Sequence, residues 1–441
     1  MPSAAIAWFR RDLRLTDNPM WDAARAGDTV VPLVVFEPGL LDAAGPYRRQ
    51  AFLDAVDHLR EHLAAAGHDL RTETGDPAEI VPTVTRSSGA DSVHVNADVT
   101  RWARRRDERV ADALRSTGGD LVAHWGTLVH RPGTVLTKAG TLSQVFTPFY
   151  NAWRALPIDD APTDDAPSGE LDPAIERAAQ RADEYPTARD IPSIDGTSEL
   201  SVALRFGTIS PRAAARRLTA AGDGGAAIAR QLAWRDWYAH LTFETPDIDR
   251  VALRPAYDAI PWETGPEADA AFAAWCEGRT GYPIVDAGIR QLRATGWMHN
   301  RVRMIVGSFL VKDLLIDWRR GERFFRHWLA DGDIPQNAGN WQWVAGTGPD
   351  AAPYFRIFNP VTQSRKFDAA GDYIRRWVPE LAEVDSRHLH APWEAPPLEI
   401  ATAGVTLGAE YPAPIVDHAA AREETLAVYK AALETARAES N

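Results

Sequence analysis

Five short apolar runs decide the fold: AIAWF at 5–9, TVVPLVVF at 29–36, DLRTETG at 69–75, SVHVN at 92–96 and DLVAHWG at 120–126. Between them lie helical patterns, NPMWDAARAG at 18–27, YRRQAFLDAVDHLREHLAAAG at 47–67, DPAEIVPTVTRSSG at 76–89 and TRWARRRDERVADALRSTGG at 100–119. Strands separated by helices of this length need crossover connections, which produce a parallel sheet covered by helices on both faces. The spacing predicts a Rossmann-like layer of five parallel strands.

No GxGxxG follows the first run, so the sheet carries no ordinary dinucleotide turn. From about Pro157 to Arg189 the text becomes rich in Asp, Pro, Ala and Ser, beginning PIDDAPTDDAPSGELDP, and reads as a surface linker. After Gly196 the pattern is helical almost throughout, with a capping start at Ser210-Pro211, a long apolar-periodic stretch from Asp286 to Leu315 and a closing helix in EETLAVYKAALETARAES. The expected division is an α/β domain over 1–130, a linker over 131–195 and an all-α domain over 196–441.

Composition narrows the classes. The 441 residues exceed one ordinary core, and 45% hydrophobic with 25% charged residues is globular. A net charge of −13 argues against a protein that coats nucleic acid indiscriminately, though not against a local basic groove. The single Cys276 excludes an intramolecular disulfide and a cysteine-based zinc cluster, so no metal site is expected and redox work needs a bound cofactor. No run is long and apolar enough to span a bilayer, and the arginines near the start do not suit a signal peptide, so a cytoplasmic location is expected.

Sixteen tryptophans are many, and nine of them fall at Trp234, Trp237, Trp262, Trp275, Trp297, Trp318, Trp328, Trp341 and Trp343. Core filling is the ordinary use of such residues. In WMHNRVRM at 297–304, however, Trp297, Asn300, Arg301 and Met304 fall at i, i+3, i+4 and i+7 on one helix face. Indole, amide, guanidinium and thioether make a poor core stripe but a good wall for a base. The turn Asp331-Gly332-Asp333-Ile334-Pro335-Gln336-Asn337 adds carboxylates that can pair with arginines or bond a heteroaromatic ring.

At this point whole phrases match: WFRRDLRLTDNP at 8–19, TSELSVALRFGTISP at 197–211, QLAWRDWYAHL at 231–241, TGYPIVDAGIRQL at 280–292, TGWMHNRVRMIVGSFLVKDLLIDWRRGERFF at 295–325, DGDIPQNAGNWQW at 331–343, DAAPYFRIFNPVTQSRKFD at 350–368 and YPAPIVDH at 411–418. Together they closely resemble the cryptochrome/photolyase family, in its bacterial class I cyclobutane-dimer branch. The resemblance implies FAD inside the helical domain and repair of pyrimidine dimers in DNA, by electron transfer from excited, reduced FAD to a dimer flipped out of the duplex.

Carried over residue by residue, it assigns FAD contacts to Tyr185, Thr197, Ser198, Glu199, Leu200, Ser201, Arg235, Arg303, Asp331, Asp333 and Asn337. Hydroxyls and N–H groups at a helix start suit a pyrophosphate, which makes TSELS chemically sensible. Trp341, Trp318 and Trp262 resemble an electron-hopping chain, while Trp234 and Trp343 resemble the indoles that stack on the lesion, with Asn300 and Met304 at its edges. Arg301, Arg356 and Gln363 are expected to hold the DNA strand, with Arg365 and Lys366 as further candidates.

One position departs from the resemblance: Gln231 stands where class I members place a glutamate. An amide donates a hydrogen bond but supplies neither charge nor proton, so weakened repair is expected. It keeps two alternatives in play, a (6-4) photolyase and a cryptochrome-type photoreceptor. Members of the family often carry a second, antenna chromophore; Phe36, Glu37, Leu40, Leu41, Asn96, Asp98, Val99, Arg104 and Arg106 are the expected contacts, with 8-hydroxydeazaflavin favoured over methenyltetrahydrofolate. The partner expected is damaged DNA, and the protein is expected to act as a monomer.

Overall fold

The structure is a computed structural model that describes residues 4–158, 172–350, 353 and 355–439. Five parallel strands form where the apolar runs stand: β1 (Ala4–Phe9), β2 (Thr29–Phe36), β3 (Arg71–Thr74), β4 (Ser92–Asn96) and β5 (Asp120–His124). They lie in the order β3-β2-β1-β4-β5. Along β1, Ala5, Ala7 and Phe9 pack with Met20, Trp21 and Leu59, while Ile6 and Trp8 pack with Val84, Val95 and Val110. A strand covered on both faces must be apolar at every position, which is why the alternation expected of a half-exposed strand is absent. Pro32 is tolerated because the ladder to β3 begins only at Leu33, so its missing donor falls where β2 has one partner.

Among the described residues every named element after β5 is helical. Ser210 caps the Pro211–Thr219 helix by accepting from the Ala213 N–H at 3.1 Å, as its sequence suggests. The stretch from Asp286 to Leu315 is divided: Pro283–Thr295 ends at Gly296 with φ +70°, Asn300–Ser308 follows, and Phe309–Asp313 is a π-helical turn. His299 caps the middle helix, its Nδ1 accepting from the Arg301 N–H at 3.1 Å. Trp297 therefore precedes the cap and does not share a helical face with Asn300, Arg301 and Met304. Gly296 and the capping imidazole break the periodicity that carried that expectation.

The linker reading also needs amending. Its residues 159–171 lie outside the described residues, but Asp172 accepts from the Ala174 N–H at 2.8 Å and starts a helix, Pro173–Gln180, that buries Ile175, Ala178 and Ala179. An Asp N-cap followed by Pro is an ordinary helix start, masked here by the proline-rich text before it. The chain forms two compact units, residues Met1–Tyr185 with Ser198–Asp247, and Pro186–Thr197 with Ile248–Asn441. No helix among the described residues is long and apolar enough to cross a membrane.

Candidate functional site

In the second unit the Ile334–Ala345 helix carries Asn337 and, one turn on, Trp341, both buried. The Asn337 Nδ2 donates to the Glu322 backbone carbonyl at 2.8 Å and to its Oε1 at 2.9 Å. Burial pushes the Glu322 carboxyl up, against the pull of Arg326 and of the amide. With its N–H groups occupied, Asn337 has its carbonyl oxygen left to accept. Glu322 stands on the buried face of the Trp318–Trp328 helix, with Trp318, Gly321 and Phe325.

Gly321 is there for a close approach, since a Cβ on it would lie 2.2 Å from the Trp341 ring. Phe325 meets Trp341 edge-on at 5.0 Å and Trp275 does so at 6.2 Å. Trp318 is fully buried with the Arg319 guanidinium 4.7 Å over its ring, and its indole N–H meets no acceptor. Trp262 packs against Leu315 and meets Tyr429 edge-on at 6.2 Å; its N–H is likewise buried without a partner. The Glu263 N–H donates to the Leu315 carbonyl at 2.9 Å, which ties the Trp262 segment to the turn leading into Trp318.

Arg303 grips Asp331 with both nitrogens, at 3.3 and 3.0 Å, and its Nε donates to the Met298 carbonyl at 2.8 Å. Such a fork fixes the carboxylate's plane. Asp333 is buried at the start of the Ile334–Ala345 helix. Asn300 is exposed at the start of its helix, and Met304 lies one turn on, half-buried. Arg301 pairs with Asp190 at 2.7 Å and covers the Phe367 ring at 4.3 Å. Arg356 is exposed, Gln363 and Trp343 are half-buried, Arg365 reaches Glu394 at 3.3 Å, and Lys366 lies 5.0 Å over Phe367. Burial holds the His299 imidazole down at about 4, and because its Nδ1 accepts, the proton resides on Nε2, which is buried without an acceptor. The Thr197 hydroxyl belongs to this unit.

In the first unit the Gly222–Glu244 helix carries Gln231, Trp234 and Arg235. Trp234 stacks on Phe146 at 3.7 Å and 12°, with Trp237 edge-on at 5.2 Å. One indole face is thus covered by Phe146. The Gln231 Nε2 donates back to the Ala227 carbonyl at 3.3 Å. Arg235 donates to the carbonyls of Thr127 at 2.6 Å and Leu204 at 3.1 Å. Asp236 anchors this helix, accepting from the N–H groups of His130 at 2.9 Å and Val129 at 3.3 Å and from the Trp153 indole at 2.9 Å. Glu199, at φ +54°, puts a left-handed residue just ahead of the Ser201–Phe206 helix. Among the described residues the hydroxyls of Ser198 and Ser201 meet no partner, and Tyr185 and Leu200 are buried.

The strand order reverses between β1 and β4, where open parallel sheets receive ligands at their carboxyl ends. Charged side chains fill that end. Arg106 reaches Glu37 at 3.1 Å and Asp107 at 2.9 Å, and lies 5.0 Å from the Trp8 ring and 4.8 Å from that of Trp102. The Asn96 amide donates to Asp12 at 2.6 Å and Asn18 at 2.7 Å, leaving its buried Oδ1 without a partner. Asp98 pairs with Arg11 at 3.2 Å, Arg104 donates to the Phe243 carbonyl at 3.2 Å, and Val99 packs against Leu128. Phe36 packs against the core, Leu41 is half-buried, and Leu40 is exposed.

Sequence reasoning missed Glu322, Asp236, His299 and Phe146. Glu322 could have been found, because Trp318, Gly321, Glu322 and Phe325 repeat at i, i+3, i+4 and i+7, and a carboxylate inside an apolar stripe needs a buried partner.

The residues fit a flavin. Within the second unit the Asn337 carbonyl oxygen is left to accept and Arg303 forks onto Asp331; within the first, the Ser198 and Ser201 hydroxyls meet no partner among the described residues. A parallel-sheet unit with a helical unit of this kind defines a two-unit flavoprotein. Residues 5–168 match the family described as DNA photolyase, and residues 228–431 match the FAD binding domain of DNA photolyase. The deoxyribodipyrimidine photo-lyase of Escherichia coli is 40% identical, covering 97% of this chain and 98% of its own. A bacterial class III photolyase from Agrobacterium tumefaciens superposes with a TM-score of 0.89 at 37% identity, over 98% of each chain. A cryptochrome from Synechocystis does so at 0.87 and 27%, over 97% of this chain and 99% of the other. The chain belongs to the DNA photolyase family.

Proposed function

We propose that this protein repairs cyclobutane pyrimidine dimers in DNA under light, as a deoxyribodipyrimidine photo-lyase. The observation that carries the reading is the Asn337 amide, fixed by Glu322 with its carbonyl oxygen left to accept, one helical turn from the buried Trp341. Bound FAD in its reduced form supplies, on absorbing light, the electron that the dimer takes up and returns. Asn337 would accept from the flavin ring when it is bound, and the Asp331 carboxylate, held by Arg303, would contact it. Thr197, Ser198 and Ser201 receive the phosphates. Trp341, Trp318 and Trp262 would relay the electron that returns a bound flavin to its reduced form.

A dimer inside a duplex is out of reach of a buried ring, so it must leave the stack. Trp234 and Trp343 stack on it, and Asn300 and Met304 meet its edges. Arg301, Arg356 and Gln363 hold the neighbouring strand; Arg301 exchanges Asp190 for a phosphate when it does so. The antenna we favour is 8-hydroxydeazaflavin, received where the sheet order reverses, and the working form is a cytoplasmic monomer.

Illumination of dimer-containing oligothymidine with the reduced protein tests the reading. Recovery of absorbance near the thymine maximum is expected, and its absence with flavin-loaded protein overturns it. Gln231 favours a second reading, a photoreceptor that repairs nothing, and the same measurement separates the two.

A further inference from the structure

The first unit carries a ladder of rings and guanidinium groups that the roles above leave unused. Phe146, Tyr150 and Arg154 recur every four residues along the Phe146–Trp153 helix and its cap, and Arg230 and Trp234 are four apart on the Gly222–Glu244 helix. The two rows meet where Phe146 stacks on Trp234, and Tyr150 continues the stack behind Phe146 at 5.9 Å and 15°. Arg230 covers the rings of Phe146 at 5.3 Å and Tyr150 at 5.1 Å, and Arg154 covers Tyr150 at 5.7 Å. Both arginines are exposed, and neither meets a carboxylate among the described residues.

That combination is unusual in a chain whose charge is −13 and whose exposed arginines commonly find an acid, as Arg115 finds Asp112. A guanidinium lying on a ring is held in place by the contact while its edge keeps its N–H donors, the fork that matches a phosphate. A flexible, carboxylate-paired arginine would first have to give up its partner.

We propose that Arg230 and Arg154 form a phosphate clamp for the DNA strand that carries the lesion, set beside Trp234 by the Phe146–Tyr150 stack. The proposal rests on the DNA-repair reading and gives it a partner surface. DNA is the occupant because two guanidinium groups that meet no carboxylate among the described residues, next to a stacking indole, fit a polyanion with bases, whereas a protein partner would be expected to meet an apolar patch or acidic side chains of its own.

Counterion release supplies the test. Binding of a dimer-containing oligonucleotide is followed by fluorescence anisotropy across a series of salt concentrations, for the flavin-loaded protein and for Arg230→Gln, Arg154→Gln and the double variant. Each phosphate contact contributes roughly 0.7–0.9 to the slope of log affinity against log salt, so each single variant should flatten it by about that much and the double variant by about twice as much. Arg115→Gln serves as the control and should leave the slope in place. An unchanged slope in the double variant, or an equal flattening by Arg115→Gln, overturns the clamp. If the protein binds with the expected slopes yet repairs no dimer in light, the clamp stands and the repair reading falls.

Discussion

Gln231 leans back onto its own helix through the Ala227 carbonyl, so its amide is a neutral donor with no charge to offer a reacting dimer. A carboxylic acid kept protonated at the same place can donate a hydrogen bond and also supply a proton to a dimer that has taken up an electron, which an amide cannot. Gln231→Glu should therefore raise the quantum yield of repair, measured as dimers split per photon absorbed; an unchanged or lower yield contradicts the role. Trp341 is seated on Gly321, and its neighbours are aromatic rather than polar. Trp341→Phe should slow photoreduction of the flavin while chemically reduced protein still repairs, and equal loss in both assays would rule out a relay. The identities of these residues were legible from the sequence, since indoles, amides and arginines in such numbers name their chemistry. Their partners were not. Nothing local to Arg301 announces Asp190, 111 residues away.

The helix starting at Asn300 shows how one element can couple position to pH. His299 caps it only while Nδ1 is unprotonated, and burial holds the imidazole at about 4 in place of its ordinary 6.5. A folded-state value below the unfolded one means that the neutral form is favoured by folding. The contribution is fully present above 6.5 and is lost as pH falls from there toward 4, on the order of 3 kcal/mol in all. Urea unfolding followed across this interval should show stability falling with acid, and His299→Asn, which keeps a capping side chain, should flatten that fall. A variant with the same acid slope as the parent would show that other groups carry it. The element itself was partly legible: the apolar period located a helix, but the left-handed Gly296 and the cap set its true start, which moved Trp297 off the face assigned to it.

Over the whole molecule the charge of −13 opposes contact with any polyanion, so affinity must come from a few placed cations and from the lesion itself. Undamaged duplex should bind far more weakly than dimer-containing duplex at physiological salt, as measured by competition in a binding titration. Comparable affinities for the two would contradict an extruded lesion as the main source of binding. The doubly covered parallel sheet and the helical remainder were determined by the sequence alone, because apolar runs, helical periods and crossover lengths act over short distances and tolerate few arrangements. Tertiary structure alone decided that Glu322 holds Asn337, that Phe146 backs Trp234 and that Arg230 and Arg154 lie on rings. Those pairings depend on which faces meet when distant segments pack, and no local pattern encodes a partner that packing has yet to bring within a few ångströms.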